Sequence, residues 1–130
     1  MIPVKPPPEP ADFDAKVRKL GSRWLDRHPD APARPKDYWK KCRIDLAKGF
    51  HHLCAYGAMF EPAGTVDHFI SISQNRELAY EWCNYRYASG WINSSKQNPG
   101  GILDPFLVQE GWFEIILPSL QLRITDKREC

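Results

Sequence analysis

The first half of the chain repeats apolar residues with the period of an amphipathic helix. Spacings of four, three and four residues place one set of side chains on a single helix face: Phe13, Val17, Leu20 and Trp24. Asp12 is suited to cap the start of this helix, and His28-Pro29 marks its end. The pattern therefore predicts a helix over residues 12–28 that turns this face to the core.

A second helix is predicted after a loop punctuated by Pro29, Pro32 and Pro35. Asp37 is placed to cap it. The side chains near its buried side are Trp39, Arg43, Leu46, Phe50 and Leu53. Before both helices, five prolines within residues 1–11 predict an extended arm, because proline fixes φ and donates no backbone hydrogen bond.

The rest of the chain predicts short strands and short helices. Strands are expected at 53–56 (or a knuckle there), 65–70 and 85–89, and helices at 77–82 and 91–97, the last stopped at 98–100. Further β structure is expected at 106–108, 112–117 and 120–124. The expected class is α+β, with the proline-rich arm at 1–11 and a single domain over 12–130.

Composition narrows the picture to one ordinary globular domain. The chain has 130 residues, 42% of them hydrophobic and 26% charged, which excludes a disordered or fibrous protein. It has neither an apolar run of membrane-spanning length nor the apolar stretch of a signal peptide near Met1, so we expect a cytoplasmic protein without a membrane partner. Its four scattered cysteines favour reduced thiols.

The net charge of +2 is unevenly distributed. Residues 1–53 hold 12 Lys and Arg against 7 Asp and Glu, whereas residues 54–130 hold 6 against 9. A basic half could face nucleic acid, although charge alone favours a solvated helix surface.

Candidate chemistry begins with Asp67-His68, an ionisable pair inside an apolar strand. Asn84 follows, then Asn93 and Lys96 near the start of a short helix. Aspartate and asparagine oxygens suit a hard cation such as Mg²⁺, and a neutral histidine accepts a proton from water. An isolated Asp-His pair is more often structural, so the interpretation depends on the joint spacing.

Residues 53–105 resemble the HNH endonucleases, the ββα-metal nucleases. The matching strings are C-A-Y-G, T-V-D-H-F-I, E-L-A-Y-E-W-C-N-Y-R and N-S-S-K, followed by L-D-P-F. The resemblance implies His68 as general base, Asp67 and Asn93 as ligands of one Mg²⁺ or Mn²⁺ ion, and Asn84 as the brace of the metal-site loop. It also implies a ββα-metal core behind the two N-terminal helices, with a C-terminal β extension.

A-Y-E-W-C-N-Y-R and the proline-rich start are similar to HNH proteins of retron-associated and Septu-type antiphage systems, which pair the nuclease with an ATPase. This narrower resemblance implies a role in antiphage defence. Exposed proline segments suit aromatic-lined grooves, so the arm is a candidate for docking on such a partner.

The sequence departs from many of these relatives at the structural zinc site. Its four knuckle positions are Cys54, Gly57, Ser89 and Ile92, so three of the four ligands are missing. We expect no structural zinc and a buried Cys54. The candidates for substitute packing are Tyr56, Tyr87, Trp91 and Ile92.

The expected function is metal-dependent hydrolysis of DNA, with Lys96 and Arg86 as candidate contacts to nucleic acid. Lys96 is expected to be exposed, as either a phosphate contact or a solvated lysine. Trp82, Trp91 and Trp112 are candidates for base stacking, but such residues are more often core. The alternative function is a catalytically degenerate HNH domain that serves as a DNA-binding or assembly subunit.

Protein purified without added metal should contain well under one zinc per chain by elemental analysis, because one thiolate stands where four ligands are needed. Chelators should leave the protein folded. Stoichiometric zinc that resists dialysis would show that the knuckle positions are misassigned.

Overall fold

The computed structural model describes residues 1–30, 34–96 and 101–125. A π-helical turn at Asp14–Arg18 leads into α1 (Lys19–Arg27), and α2 (Arg43–Gly49) and α3 (Gly90–Ser95) follow. The strands form two antiparallel hairpins, β1 (Thr65–His68) with β2 (Tyr85–Ala88) and β3 (Phe113–Ile116) with β4 (Gln121–Ile124). The α+β class and the two N-terminal helices are confirmed. Within these ranges, no helix has the length and apolar character needed to cross a membrane.

Asp37 stands at the N-cap position of the second helical segment, as predicted, whereas Asp12 precedes the N-cap residue Phe13 of the first. Neither Asp12 nor Asp37 caps a helix through its side chain. Each carboxylate pairs instead with a lysine of the following turn, Asp12 with Lys16 and Asp37 with Lys40. The carboxylate oxygens are thus engaged by side chains, and the second helical segment begins as a 3₁₀ turn at Tyr38–Cys42.

The central hairpin is shorter than predicted because a side chain replaces the strand pairing. Thr65 pairs with Ala88 at one end and His68 with Tyr85 at the other. Beyond His68, the Ile70 N–H donates to the Asn84 side chain at 2.8 Å rather than to a strand. The chain order through this hairpin into α3 is strand, strand, helix, and α3 packs against β1.

Several other predicted elements take tighter forms. Residues 53–56 form no strand: Leu53 makes an isolated bridge with Phe60, and the Ala58 N–H donates back to the Cys54 carbonyl at 2.9 Å in a turn, which fits the knuckle alternative. The predicted helix at 77–82 is a 3₁₀ helix at Arg76–Tyr80 followed by a 3₁₀ turn. The predicted strand at 106–108 is also wrong, because Asp104 caps a 3₁₀ turn at Pro105–Leu107 by accepting the Phe106 N–H. The predicted stop at 98–100 lies outside the described residues.

The proline-rich segment at residues 1–10 forms neither a helix nor a strand, and it packs on its own domain. The Trp82 indole N–H donates to the Pro7 carbonyl at 2.8 Å. Pro7 also lies against Gly49, where an added Cβ would come within 2.4 Å of the Pro7 side chain. Glu9 forms an ion pair with Arg18. Pro7 and Glu9 are thus held by contacts within the domain. Less of the arm is therefore free to dock on a partner than predicted.

The core is largely aromatic and joins the helices to the central hairpin. Its fully buried side chains include Phe13, Val17, Leu46, Tyr80 and Tyr85. Helix α1 reaches Tyr80 through Gly21, where a Cβ would lie 2.1–2.4 Å from three ring carbons of that tyrosine. The Tyr80 hydroxyl is itself held, because it donates to the Lys36 carbonyl at 2.7 Å. Glycine at position 21 is therefore a packing requirement.

Gly21→Ala should destabilise the protein by about 1–3 kcal/mol through overpacking. Helix propensity alone would predict a gain of about 1 kcal/mol, so the sign distinguishes the two effects. The free energy of unfolding in urea measures the change. Ser22→Ala, at the exposed neighbouring position, is the control and should stay within about 0.5 kcal/mol of wild type; equal stability of both variants would contradict the packing argument.

Candidate functional site

Asp67 is the buried carboxylate around which the candidate site is built. Only 3% of the residue is exposed. Its Oδ2 accepts hydrogen bonds from the Tyr56 hydroxyl at 2.5 Å and from Lys96 Nζ at 2.8 Å. Burial and the neighbouring Asp67 carboxylate raise the pKa of Tyr56, so its hydroxyl remains a donor. Two donors thus compensate the burial of one charge.

Lys96 binds at this carboxylate rather than standing in solvent. Its ammonium lies 3.0 Å from the His68 carbonyl and 3.2 Å from the Phe69 carbonyl, in addition to its bond with Asp67. The side chain is 6% exposed. The prediction of an exposed Lys96 is therefore wrong: just beyond α3 the ammonium is enclosed by oxygen atoms of β1 and the residue after it.

Asn93 fastens α3 to the strand that carries Asp67. Its Nδ2 donates to Thr65 Oγ1 at 2.9 Å and to the Val66 carbonyl at 3.3 Å. Val66 directly precedes Asp67, so Asn93 of α3 contacts β1 at the residue next to Asp67. The structure thus brings together the two residues that the sequence assigned to a metal.

Each of these two residues retains one oxygen for a cation. Oδ1 of Asp67 and Oδ1 of Asn93 accept no hydrogen bond from the described residues. They suit Mg²⁺ or Mn²⁺, and Mg²⁺ usually keeps several water ligands.

His68 lies beside Asp67 on β1 with its ring in an aromatic pocket. The ring packs edge-on against Trp39 at 4.6 Å and Tyr85 at 5.2 Å between centroids. Its Nε2 lies 2.9 Å from the Ala79 carbonyl, which can only accept, so Nε2 carries the hydrogen. Nδ1 makes no hydrogen bond with the described residues and can accept a proton.

Burial lowers the pKa of His68, and the positive charges of Arg34 and Lys96 lower it further. The hydrogen bond to Ala79 and the Asp67 charge act in the opposite direction. The balance favours a neutral imidazole, the form that a general base requires.

Asn84 braces the loop that follows β1. Its Oδ1 accepts the Ile70 N–H at 2.8 Å, and its Nδ2 donates to the carbonyls of Ile70 at 3.0 Å and Leu78 at 3.3 Å. These bonds join both ends of segment 70–78 to the start of β2. The geometry has the bracing form that the sequence assigned to this residue.

Arg86 has an internal partner, contrary to its predicted contact with nucleic acid. Its Nε and Nη2 donate to the two Asp104 oxygens at 3.0 and 2.8 Å, and its guanidinium lies 3.6 Å from the Phe106 ring centroid. Only 4% of the side chain is exposed. A bidentate, stacked arginine of this kind joins β2 to the 3₁₀ turn at Pro105–Leu107 and lies out of reach of a phosphate.

The four positions assigned to zinc knuckles lie together. Cys54 Sγ accepts the Ser89 N–H at 3.5 Å and lies 3.8 Å from Ser89 Oγ. A Cβ at Gly57 would lie 3.5 Å from Ile92 Cδ1 and 3.8 Å from Cys54 Sγ. Cys54 is buried, as predicted. Direct packing joins the two segments at this point.

The three tryptophans considered for base stacking lie in different environments. Trp82 is buried in the core and Trp112 is partly buried. Trp91 is 69% exposed, so its predicted role in packing the knuckle region is wrong. It lines an apolar groove next to Tyr56 and Lys96.

Sequence reasoning missed three contributors to the site. Tyr56 was assigned only to packing, although its hydroxyl holds Asp67. Asp104 belongs to the L-D-P-F string, which was the available signal for a partner of Arg86. Arg34 lies within the proline-punctuated loop, and nothing in its local sequence indicates that its charge acts on His68.

No protein-family model matches this chain, and no curated protein or solved structure matches it either.

The lowered pKa of His68 predicts a stability that depends on pH. The folded state binds the histidine proton less tightly than the unfolded state. The contribution of neutral His68 to the free energy of unfolding is therefore complete above about pH 6.5 and is lost as pH falls through the lowered pKa of the folded state. The melting temperature should therefore fall between about pH 6.5 and about pH 5, above the range where aspartates titrate.

His68→Gln keeps an N–H donor for Ala79 but cannot titrate, and should flatten this dependence. His28→Gln, at an exposed histidine, is the matched control and should follow wild type. Thermal melts across the range measure both. An equally steep dependence in His68→Gln would assign the proton uptake to another group.

Proposed function

We propose that this protein is a metal-dependent HNH-type endonuclease that hydrolyses DNA phosphodiester bonds. The observation that carries the proposal is the meeting of Asp67, His68 and Asn93 on one strand–strand–helix unit, with the Asn84 side chain bracing the intervening loop. The four knuckle positions lie together although they are distant in sequence. Their clustering independently supports the alignment of residues 53–105 with the HNH motif.

Asp67 and Asn93 would hold one Mg²⁺ or Mn²⁺ ion through their Oδ1 atoms. Such an ion, when bound, stabilises the negative charge that develops on the phosphate and on the leaving 3′ oxygen. The donor set fits a hard cation, since both ligands are oxygens and one is a carboxylate. With one cysteine among the four knuckle positions, no second metal is proposed there.

His68 would act as the general base. Its Nδ1 takes a proton from a water molecule, the water oxygen bonds to phosphorus, and the bond from phosphorus to the 3′ oxygen breaks. Trp39 and Tyr85 hold the ring, and the Ala79 carbonyl fixes its tautomer with the lone pair on Nδ1. The strand and its loop thus orient the base before substrate binds.

Arg34 replaces Lys96 and Arg86 as the proposed phosphate contact. Its side chain is exposed, and its positive charge is close enough to His68 to lower the pKa of that imidazole. A cation near the base would attract the scissile phosphate from solvent. The two cations favoured from the sequence are engaged by Asp67 and Asp104.

The proposal extends to antiphage defence with an ATPase as partner, on the resemblance of residues 79–86 and of the proline-rich start. The packed proline arm offers such a partner less free chain than its composition indicates. A mild net charge of +2 is consistent with weak DNA binding by the isolated chain.

Nicking of supercoiled plasmid tests the activity and its base together. Wild-type protein should nick with Mg²⁺ or Mn²⁺ and stop when EDTA is added. His68→Ala should cut at least about 10²-fold more slowly while binding DNA as before, because it removes the proton acceptor and leaves Asp67, Asn93 and Arg34 in place.

His28→Ala controls for the loss of a histidine elsewhere and should retain the wild-type rate. Equal rates for His68→Ala and wild type would contradict the assignment of the base. Cleavage that persists in EDTA would contradict the metal requirement.

One observation favours the second candidate function, a degenerate HNH domain that binds DNA or assembles a complex without cutting. The Lys96 ammonium already neutralises Asp67 and binds two backbone carbonyls next to it. A cation held in this way competes electrostatically with a divalent ion. DNA binding by wild-type protein without nicking in either Mg²⁺ or Mn²⁺ would support this candidate.

A further inference from the structure

Residues 34–43 concentrate positive charge beside the candidate site. This segment holds five Lys and Arg against one aspartate, a net charge of +4. The whole chain has a net charge of +2, so the remaining residues together carry −2. Four cationic side chains of the segment are exposed: Arg34, Lys36, Lys40 and Lys41. The positive charge of an otherwise slightly acidic protein is thus concentrated in one short segment.

The segment is anchored in the core next to His68. The Trp39 ring is buried and packs edge-on against the His68 ring, at 4.6 Å between centroids. The Lys36 carbonyl accepts the Tyr80 hydroxyl at 2.7 Å, and the 3₁₀ turn that contains Trp39 packs against β1. The charge of Arg34 also acts on the His68 ring. The exposed cations therefore project from a backbone that is fixed beside the proposed base.

Three of these four cations have no anionic partner among the residues that the structure describes. Lys40 alone of the four forms an ion pair there, with Asp37. Lys36 and Lys41 share the Tyr38 ring, with their ammonium nitrogens 5.1 and 5.4 Å from its centroid. Two ammonium groups at one ring repel each other, and an anion bound near both relieves that repulsion.

We propose that residues 34–41 bind the sugar–phosphate backbone of the DNA substrate beside the phosphate that is cut. Lys36 and Lys41 contact phosphates that flank the scissile one, which Arg34 contacts. The choice of DNA rests on the proposed nuclease function. Each DNA strand carries one negative charge about every 3.4 Å along the helix axis, so cations beside a cutting site meet successive phosphates. Such contacts set the register of the duplex and read no base sequence.

Position distinguishes this segment from an ordinary solvated surface. Lys16 and Lys19, two exposed cations of the first helical segment, are paired with aspartates near its start. Lys36 and Lys41 have no such pairing and lie within three residues of Trp39, which contacts the proposed base. Exposed positive charge next to the reacting group attracts a polyanionic substrate to the place where it reacts.

DNA binding tests this inference separately from cleavage. Fluorescence anisotropy of a labelled duplex in EDTA, over about 25–300 mM KCl, gives the affinity and its salt dependence. Each phosphate contact contributes about −0.9 to the slope of log affinity against log salt. The double variant Lys36→Gln, Lys41→Gln should therefore reduce the slope by about 1.8 in magnitude and weaken binding at least about tenfold near 100 mM salt.

The double variant Lys5→Gln, Lys48→Gln is the matched control. It removes the same charge from two exposed lysines that line the cavity between the proline-rich segment and α2. Its slope should stay within about 0.5 of the wild-type value. An equal loss of affinity in both double variants would overturn the proposal, and so would a wild-type slope in the Lys36→Gln, Lys41→Gln variant.

Acetylation of wild-type protein gives a second measurement that does not depend on a variant's folding. Bound DNA should protect Lys36 and Lys41 from acetic anhydride and leave Lys5 and Lys48 reactive. Equal protection of all four lysines would overturn the proposal. Tighter binding of RNA of the same sequence would overturn DNA as the occupant.

Plasmid nicking separates a failure of this inference from a failure of the proposed function. Protein that binds DNA through Lys36 and Lys41 without nicking would support the binding surface and contradict the nuclease activity. Protein that nicks, while the Lys36→Gln, Lys41→Gln variant binds DNA as tightly as wild type, would support the activity and overturn the binding surface.

Discussion

The site depends on the burial of one charge, the Asp67 carboxylate. A buried carboxylate is costly unless donors compensate it, and here those donors come from distant parts of the chain. Tyr56 precedes β1 and Lys96 follows α3, so their bonds to Asp67 hold both segments against the strand. Without these two bonds to Asp67, the side-chain hydrogen bonds described between α3 and β1 would be those of Asn93 alone.

In the proposed function, the packing around this site takes the place of the constraint that zinc supplies in many HNH proteins. Cys54, Gly57, Ser89 and Ile92 bring the two knuckle segments together by direct contact of small and apolar groups. Arg86 and Asp104 join β2 to the next turn through a bidentate ion pair, which fixes orientation as well as distance. These contacts thereby hold α3 in place against the hairpin of β1 and β2.

Two cations compete for the same carboxylate in the proposed function. Lys96 holds Oδ2 of Asp67, whereas Oδ1 is left for a divalent ion. This division lets the apo protein neutralise a buried charge while retaining one ligand atom. It also relates the two candidate functions physically, since they differ in whether a divalent ion can bind next to the ammonium.

The sequence by itself determined the two N-terminal helices and which side of β1 each residue faces. Alternation along a strand separates Asp67 from His68, and helical spacing identifies Phe13 and Val17 as core. The resemblance of the surrounding string to HNH proteins also assigned a bracing role to Asn84. Only the tertiary structure decided which cationic and aromatic side chains are exposed. Lys96, Arg86 and Trp91 each contradict a sequence expectation, because their environments depend on residues far along the chain, such as Asp67 for Lys96 and Asp104 for Arg86. Local pattern carries no information about such pairings, and the packing of Pro7 on Trp82 and Gly49 was hidden for the same reason.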